Sequence, residues 1–257
     1  MSGPAVFALP WDDLVVGFAL AIRATTFVMT APVVGARAVP ARVRIGLALL
    51  LALVVSPPPP AQVVLPVLVI REALVGLVIG LAGRFALDAS LFAGSLAGLS
   101  SGLSLANVLD PVTQIETPTL GIFQRLLSVL VYISIGGHRQ LLAVLGRSYE
   151  LVPPGAADLS GPFLPHAVAL TGRVLEFGVR IAAPVVITSL LVDLGFMLLA
   201  RAAPQMHILI VGAPIKLAAG LLALAFSLRV LALVVDDSLD AVLGDVGRLL
   251  SALGGAA

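Results

Sequence analysis

Apolar runs dominate the chain, and the polar positions that interrupt them mark out its elements. Leu14–Val34 is a first apolar segment with Arg23 in its middle and Pro32 near its end. Gly35–Arg44 is a basic turn holding Arg37, Arg42 and Arg44, which the positive-inside rule places on the cytoplasmic side. The next run, Ile45–Val55, has 11 residues. It covers about 17 Å as a helix, well short of a hydrocarbon core of about 30 Å. After a stiff loop at Pro57–Pro60, Val63–Leu87 is long enough to span, with Arg71 and Glu72 near its middle and Gly76 and Gly80 four apart.

A ladder of small residues follows at four-residue spacing: Ser90, Gly94, Gly98, Gly102 and Ala106. This spacing stacks them on one helix face, where backbones approach closely. The ladder runs into a polar, proline-bounded segment from Asp110 to Pro118. Such a segment lies outside the membrane core or lines a cavity covered by protein. Leu120–Ile135 is a further apolar helix, ended or kinked by Gly136-Gly137-His138-Arg139, and Leu141–Tyr149 is short and amphipathic. The proline- and glycine-rich stretch Val152–Pro165 reads as a surface loop between two halves. Beyond it the pattern predicts a helical hairpin. Its arms are Ala167–Ala200 and Ile208–Val235, its turn is Arg201–Gln205, and an amphipathic tail covers Ser238–Leu253.

Composition sharpens the class. The chain is 60% hydrophobic and 11% charged, where soluble domains carry about 25% charged residues. The expected fold is all-α and membrane-associated, with short and kinked helices. A net charge of +1 gives no bulk attraction to nucleic acid. The absence of cysteine excludes disulfides and thiolate metal sites. The first basic residue, Arg23, falls inside the first apolar run, so no cleavable signal peptide is expected.

The charges inside apolar segments carry the strongest inference. Arg23, Arg71, Glu72, Arg180, Asp193 and Arg229 all lie there. Unpaired in lipid, six such groups would cost on the order of 15–20 kcal/mol, more than the usual net stability of about 5–15 kcal/mol. They must be paired, water-lined or covered by protein. Glu176 and Arg180 have the i,i+4 spacing of a local pair. Arg23, Arg71, Glu72 and Lys216 are the candidates for a buried charge network. Together with the short second helix, the pattern suggests helices covered by neighbouring subunits, and it favours a protein-covered place for the Asp110–Pro118 segment.

No catalytic constellation competes with this reading. Gly98-Leu99-Ser100-Ser101-Gly102 matches G-x-S-x-G, but its glycines belong to the longer ladder, which explains them without a nucleophile. Walker, H-E-x-x-H and dinucleotide fingerprints are absent, and three scattered histidines make a poor metal site. No enzyme activity and no cofactor are expected. A small-solute secondary transporter would also carry broken helices with intramembrane charges, yet no matching pair of broken segments is evident in two halves.

The chain resembles the FliR family of type III secretion export-gate subunits, flagellar and injectisome. The most specific match is Leu199-Ala200-Arg201-Ala202-Ala203-Pro204-Gln205-Met206, followed by Gly212-Ala213-Pro214-Ile215-Lys216 and Gly220. Arg23, Pro32, Pro40, Glu72, Gly76, Gly80, Gly94, Gly98, Asp110-Pro111, Gly136-Gly137-His138, Ser148 and Pro153 fall in family order. His207 stands where the family commonly has asparagine.

The resemblance implies a gate subunit of the bacterial inner membrane, in the flagellar basal body. It would assemble with FliP and FliQ into a funnel for unfolded protein substrates and meet FlhB. The chain would divide into a FliP-like part (1–165), a FliQ-like hairpin (166–237) and a C-terminal tail (238–257). A channel plug at about 107–119 would include Asp110, Pro111, Gln114, Glu116 and Pro118. Gly94, Gly98 and Gly102 would pack helices around the closed axis. Arg201, Pro204 and Gln205 would lie on the cytoplasmic-side turn that contacts a partner.

Overall fold

Among the described residues the chain is helical throughout. The computed structural model describes residues 11–55, 64–102, 119–158, 163–203 and 208–254. They form α1 (Trp11–Thr30), α2 (Ala41–Val55), α3 (Leu65–Ser101), α4 (Thr119–Ser134), α5 (Gly137–Leu151), α6 (Phe163–Ala202) and α7 (Ile208–Leu253). Stretches within α3, α6 and α7 are long and apolar enough to cross a membrane. A fourth candidate arises if α4 and α5 act as one broken span.

The helix ends follow local chemistry. Pro32 follows the last turn of α1, where Thr30 already returns its hydroxyl to the Thr26 carbonyl at 2.7 Å. The break between α4 and α5 falls at Gly136, whose φ of 76° is left-handed and suits glycine. The expected ends at Ile135 and Gly136 therefore hold. Two expected separations do not. The apolar run from Leu65 to Leu87 and the ladder positions Ser90, Gly94 and Gly98 lie in one helix, α3. The 238–253 stretch is the end of α7, because Ser238 turns its hydroxyl back to the Val235 carbonyl at 2.9 Å and the helix continues. The second helix starts at Ala41, earlier than its apolar run, and its 15 residues give about 22 Å. It remains too short to span.

Two compact units divide the chain. Unit 1 takes Met1–Arg84, His138–Val168 and Leu243–Ala257, and unit 2 takes Phe85–Gly137 and Ala169–Val242. Each draws on sequence from both sides of the Val152–Pro165 loop, because α3, α6 and α7 each run from one unit into the other.

Within unit 1, α2 buries only Ala48 and Ala52. Ala52 packs with Ala21 and Ala24 of α1, and small side chains let these two helices lie close. Within unit 2, Ala93 on α3 packs with Ile181 and Ala182 on α6 and with Leu231 and Val235 on α7. Further along, Ala97 packs with Val185, Ala223 and Leu224. The α3 ladder meets α4. Ser128 donates its hydroxyl to Ser90 at 2.5 Å. A methyl on Gly94 would come to 2.6 Å from the Leu120 carbonyl oxygen and collide with the backbone of Gly121.

This contact makes a prediction. Gly94→Val should destabilise the protein by about 1–3 kcal/mol, the usual cost of overpacking. Gly172→Ala, at a position where a methyl meets nothing within 4 Å, should be neutral or stabilise by up to about 1 kcal/mol. Thermal unfolding in detergent would measure both. Equal effects of the two substitutions would refute the close approach of α3 and α4.

Candidate functional site

Arg23 is fully buried, and the route to its burial starts from glycine. A methyl at Gly76 would collide with the Arg23 carbonyl oxygen and with Thr26 Oγ1. One at Gly80 would collide with Thr30 Oγ1 and come to 2.9 Å from the Phe27 carbonyl oxygen. The two glycines lie one turn apart and let α1 settle onto α3. One turn before Gly76 on the same face is Glu72, also fully buried.

The Arg23 guanidinium grips that carboxylate with two prongs. Nε–H donates to Glu72 Oε2 at 2.7 Å and Nη2–H to Oε1 at 3.0 Å. The remaining donors go to the end of α5. Nη1 donates to the Ser148 carbonyl at 2.9 Å and to Ser148 Oγ at 3.2 Å. Nη2 also donates to the Val152 carbonyl at 3.0 Å. A guanidinium has five N–H donors, and five bonds accept them. The Gly155 amide donates to Glu72 Oε1 at 3.0 Å, where Gly155 takes a left-handed φ of 74°. The neighbouring Arg71 donates to the Gly155 carbonyl. The Tyr149 ring lies against the guanidinium, 4.1 Å from its centroid to Cζ, a cation–π contact in a dry setting.

Several kcal/mol are needed to desolvate each buried ion, and the attraction offsets this only with good geometry and satisfied remaining groups. Both conditions hold here. The Arg23–Glu72 pair is neutral and closed, so its chemistry is mechanical. It ties α1, α3, α5 and the turn after α5 into one body. Among the described residues no three His, Cys, Asp or Glu side chains group as metal ligands would.

Of the four residues expected in a buried network, Arg23, Glu72 and Arg71 come together. Lys216 does not join them. It belongs to unit 2 and donates to both oxygens of Asp193, at 2.8 and 2.7 Å, linking α7 to α6. Glu176 pairs with Arg180 at 2.7 Å, at the expected spacing, and with Arg173 at 3.3 Å. Arg229 is exposed. A pair that spacing did not suggest joins Arg125 of α4 to Asp88 of α3 at 3.4 Å.

The remaining expected positions divide as follows. Gly94 sits against α4 and Gly98 is buried. Gly102 follows the last residue of α3 with a left-handed φ of 77°. Arg201 is exposed in the last turn of α6. Asp110, Pro111, Gln114, Glu116, Pro118, Pro204 and Gln205 lie outside the described residues. Sequence reasoning missed the backbone partners, namely the carbonyls of Ser148 and Val152 and the amide of Gly155. Backbone groups leave no residue-type signal, although the proline- and glycine-rich turn did mark the place.

Residues 14–242 match the sequence model of bacterial export proteins, family 1. The chain belongs to this family, that of the FliR proteins. The flagellar biosynthetic protein FliR of Escherichia coli K12 is 32% identical over 209 residues, covering 78% of this chain and 79% of that protein. FliR of Bacillus subtilis 168 is 31% identical over 252 residues, covering 94% and 97%. The surface presentation of antigens protein SpaR of Salmonella typhimurium is 29% identical over 159 residues, covering 62% and 60%. The family match takes in every residue of the Arg23 cluster.

Removing one member of a buried pair leaves an uncompensated charge, which costs about 3–5 kcal/mol. Glu72→Leu should lose that much stability and accumulate poorly. The double substitution Arg23→Met with Glu72→Leu should recover part of the loss, and only part, because the Val152 carbonyl and the Gly155 amide lose these partners. Denaturation of the parent and the two variants in detergent would check this, and Glu72→Leu as stable as the parent would refute it.

Proposed function

We propose that this FliR-family chain is a subunit of the type III secretion export gate of the bacterial flagellum, in the inner membrane at the basal body. In this reading it forms, with FliP and FliQ, the channel through which unfolded flagellar proteins leave the cell. The observation that carries the reading is family membership along residues 14–242. The physical state of the helices supports it. In the membrane-length stretches of α6 and α7 only 22% and 28% of the residues are buried, while these helices also carry Asp193, Lys216 and Arg229. Faces that mix leucine with charge suit protein neighbours better than lipid.

The subunit acts without covalent chemistry. It blocks the pore at rest and yields when substrate is driven through. The segment of about 107–119, with Asp110, Pro111, Gln114, Glu116 and Pro118, serves as the plug. Gly94, Gly98 and Gly102 allow close packing around it. The turn with Arg201, Pro204 and Gln205 meets FlhB on the cytoplasmic side. Residues 1–165 act as the FliP-like part and 166–237 as the FliQ-like hairpin. The SpaR relationship favours one second reading, the equivalent subunit of an injectisome.

Purification of the tagged chain from native membranes tests the assembly. FliP and FliQ should copurify, and recovery of the chain alone under conditions that keep other membrane complexes intact would refute the reading. Deletion of Val112–Thr117 tests the plug. An assembled deletion variant should pass small ions across the membrane, and unchanged permeability would remove the plug role.

A further inference from the structure

Unit 1 contains a half-open cavity of about 550 Å³ between α5 and the end of α7, apart from the Arg23 cluster. Its volume is that of a small-molecule site. Val144 and Leu151 of α5 and Leu243 and Leu250 of α7 give it apolar walls, and Arg147 and Arg248 are its charged lining residues. Among the described residues that line it there is no carboxylate. Asp245, outside the lining, pairs with Arg248, so these three groups together carry a net charge of +1. Ser251 also lines the space, but its hydroxyl is committed to the Gly247 carbonyl at 3.0 Å.

Two glycines keep this space open. Gly244 and Gly247 both line it, and a methyl on either would meet nothing within 4 Å. This is the opposite of Gly76, Gly80 and Gly94, where the backbone of another helix fills the place of the side chain. Helix packing does not need glycine at 244 or 247, and each costs a helix interior about 1 kcal/mol relative to alanine. The groove lies on a helix whose Pro214–Leu253 stretch is long and apolar enough to cross a membrane. Basic pockets between membrane helices suit anionic lipid head groups.

We propose that this groove binds an anionic glycerophospholipid, with its phosphate between Arg147 and Arg248 and an acyl chain along the leucine-lined wall. The full-length chain, extracted in mild detergent, would be titrated with phosphatidylglycerol, phosphatidylcholine or inorganic phosphate, and bound ligand counted by native mass spectrometry. Phosphatidylglycerol should be retained at least tenfold more tightly than phosphatidylcholine. Gly247→Leu, whose Cβ would meet nothing within 4 Å, should lower phosphatidylglycerol retention at least tenfold while leaving helix content unchanged. The Arg147→Gln and Arg248→Gln double variant should erase the preference for the anionic lipid. Equal retention of the two lipids, or undiminished retention by Gly247→Leu, would overturn the proposal. So would inorganic phosphate competing as well as the lipid, since the apolar wall would then contribute nothing. The comparison of lipids on the parent protein decides the matter even where a variant fails to fold.

Discussion

One guanidinium, that of Arg23, holds unit 1 together. Its five donors reach a carboxylate on α3, a carbonyl and a hydroxyl on α5, and a carbonyl just past the end of α5. Helix ends expose carbonyls that have no partner within the helix, and here a side chain from a distant helix donates to the Val152 carbonyl and adds a second donor to the Ser148 carbonyl, which also accepts the Val152 amide at 2.9 Å. The same Glu72 that balances the charge also accepts from the Gly155 amide, so the turn after α5 is fixed from both sides. Asp158 extends that fixation, since its amide donates to the Leu253 carbonyl at 2.9 Å and ties the turn to the end of α7. None of this can form unless α1 approaches α3 closely, which is what Gly76 and Gly80 permit. Glycine spacing and the ion pair are therefore one device: the first sets the distance and the second locks it.

Unit 2 is held differently. Its contacts are alanines and β-branched or leucine side chains at helix crossings, with serine and glycine where α3 meets α4. Its ion pairs lie nearer the surface. The Asp193 and Lys216 side chains are 44% and 26% exposed, so screening by solvent limits what their pairing adds. The same helices leave Leu190, Leu198, Leu222, Phe226 and Leu233 more than 60% exposed. Apolar area of this kind has no use in water, and beside half-exposed charges it is poorly suited to lipid. In the proposed assembly a covering layer of protein would resolve both difficulties.

The legibility of the sequence follows from these differences. Helices with strong apolar runs, and ends marked by Gly136 or Pro32, could be read because the signals are local. The Glu176–Arg180 pair could be read because i,i+4 spacing is geometry within a single helix. The Arg23–Glu72 pair was legible only as a requirement that buried charges find partners; its partners lie 49 and 125 positions away along the chain. Lys216 was placed with the wrong company because distance along the sequence says nothing about which unit a helix joins. The continuity of α7 through Ser238 was missed because a serine and two aspartates read as a boundary, whereas the serine hydroxyl turns back to its own helix. Residues 107–118 lie outside the described residues.

Length adds a constraint that neither hydropathy nor pairing supplies. At about 1.5 Å per residue, the 46 residues of α7 extend roughly 69 Å and the 40 of α6 roughly 60 Å. A hydrocarbon core of about 30 Å takes less than half of either. Tilt alone cannot absorb such an excess, because usual tilts stay below about 40°. Large parts of both helices must therefore lie outside lipid, and in α6 the exposed large apolar side chains run from Val168 to Leu199, about 46 Å along the helix. One hydrocarbon core leaves part of that α6 stretch uncovered, and water is a poor solvent for it. The assembly proposed above would cover that part of α6 with protein from neighbouring subunits.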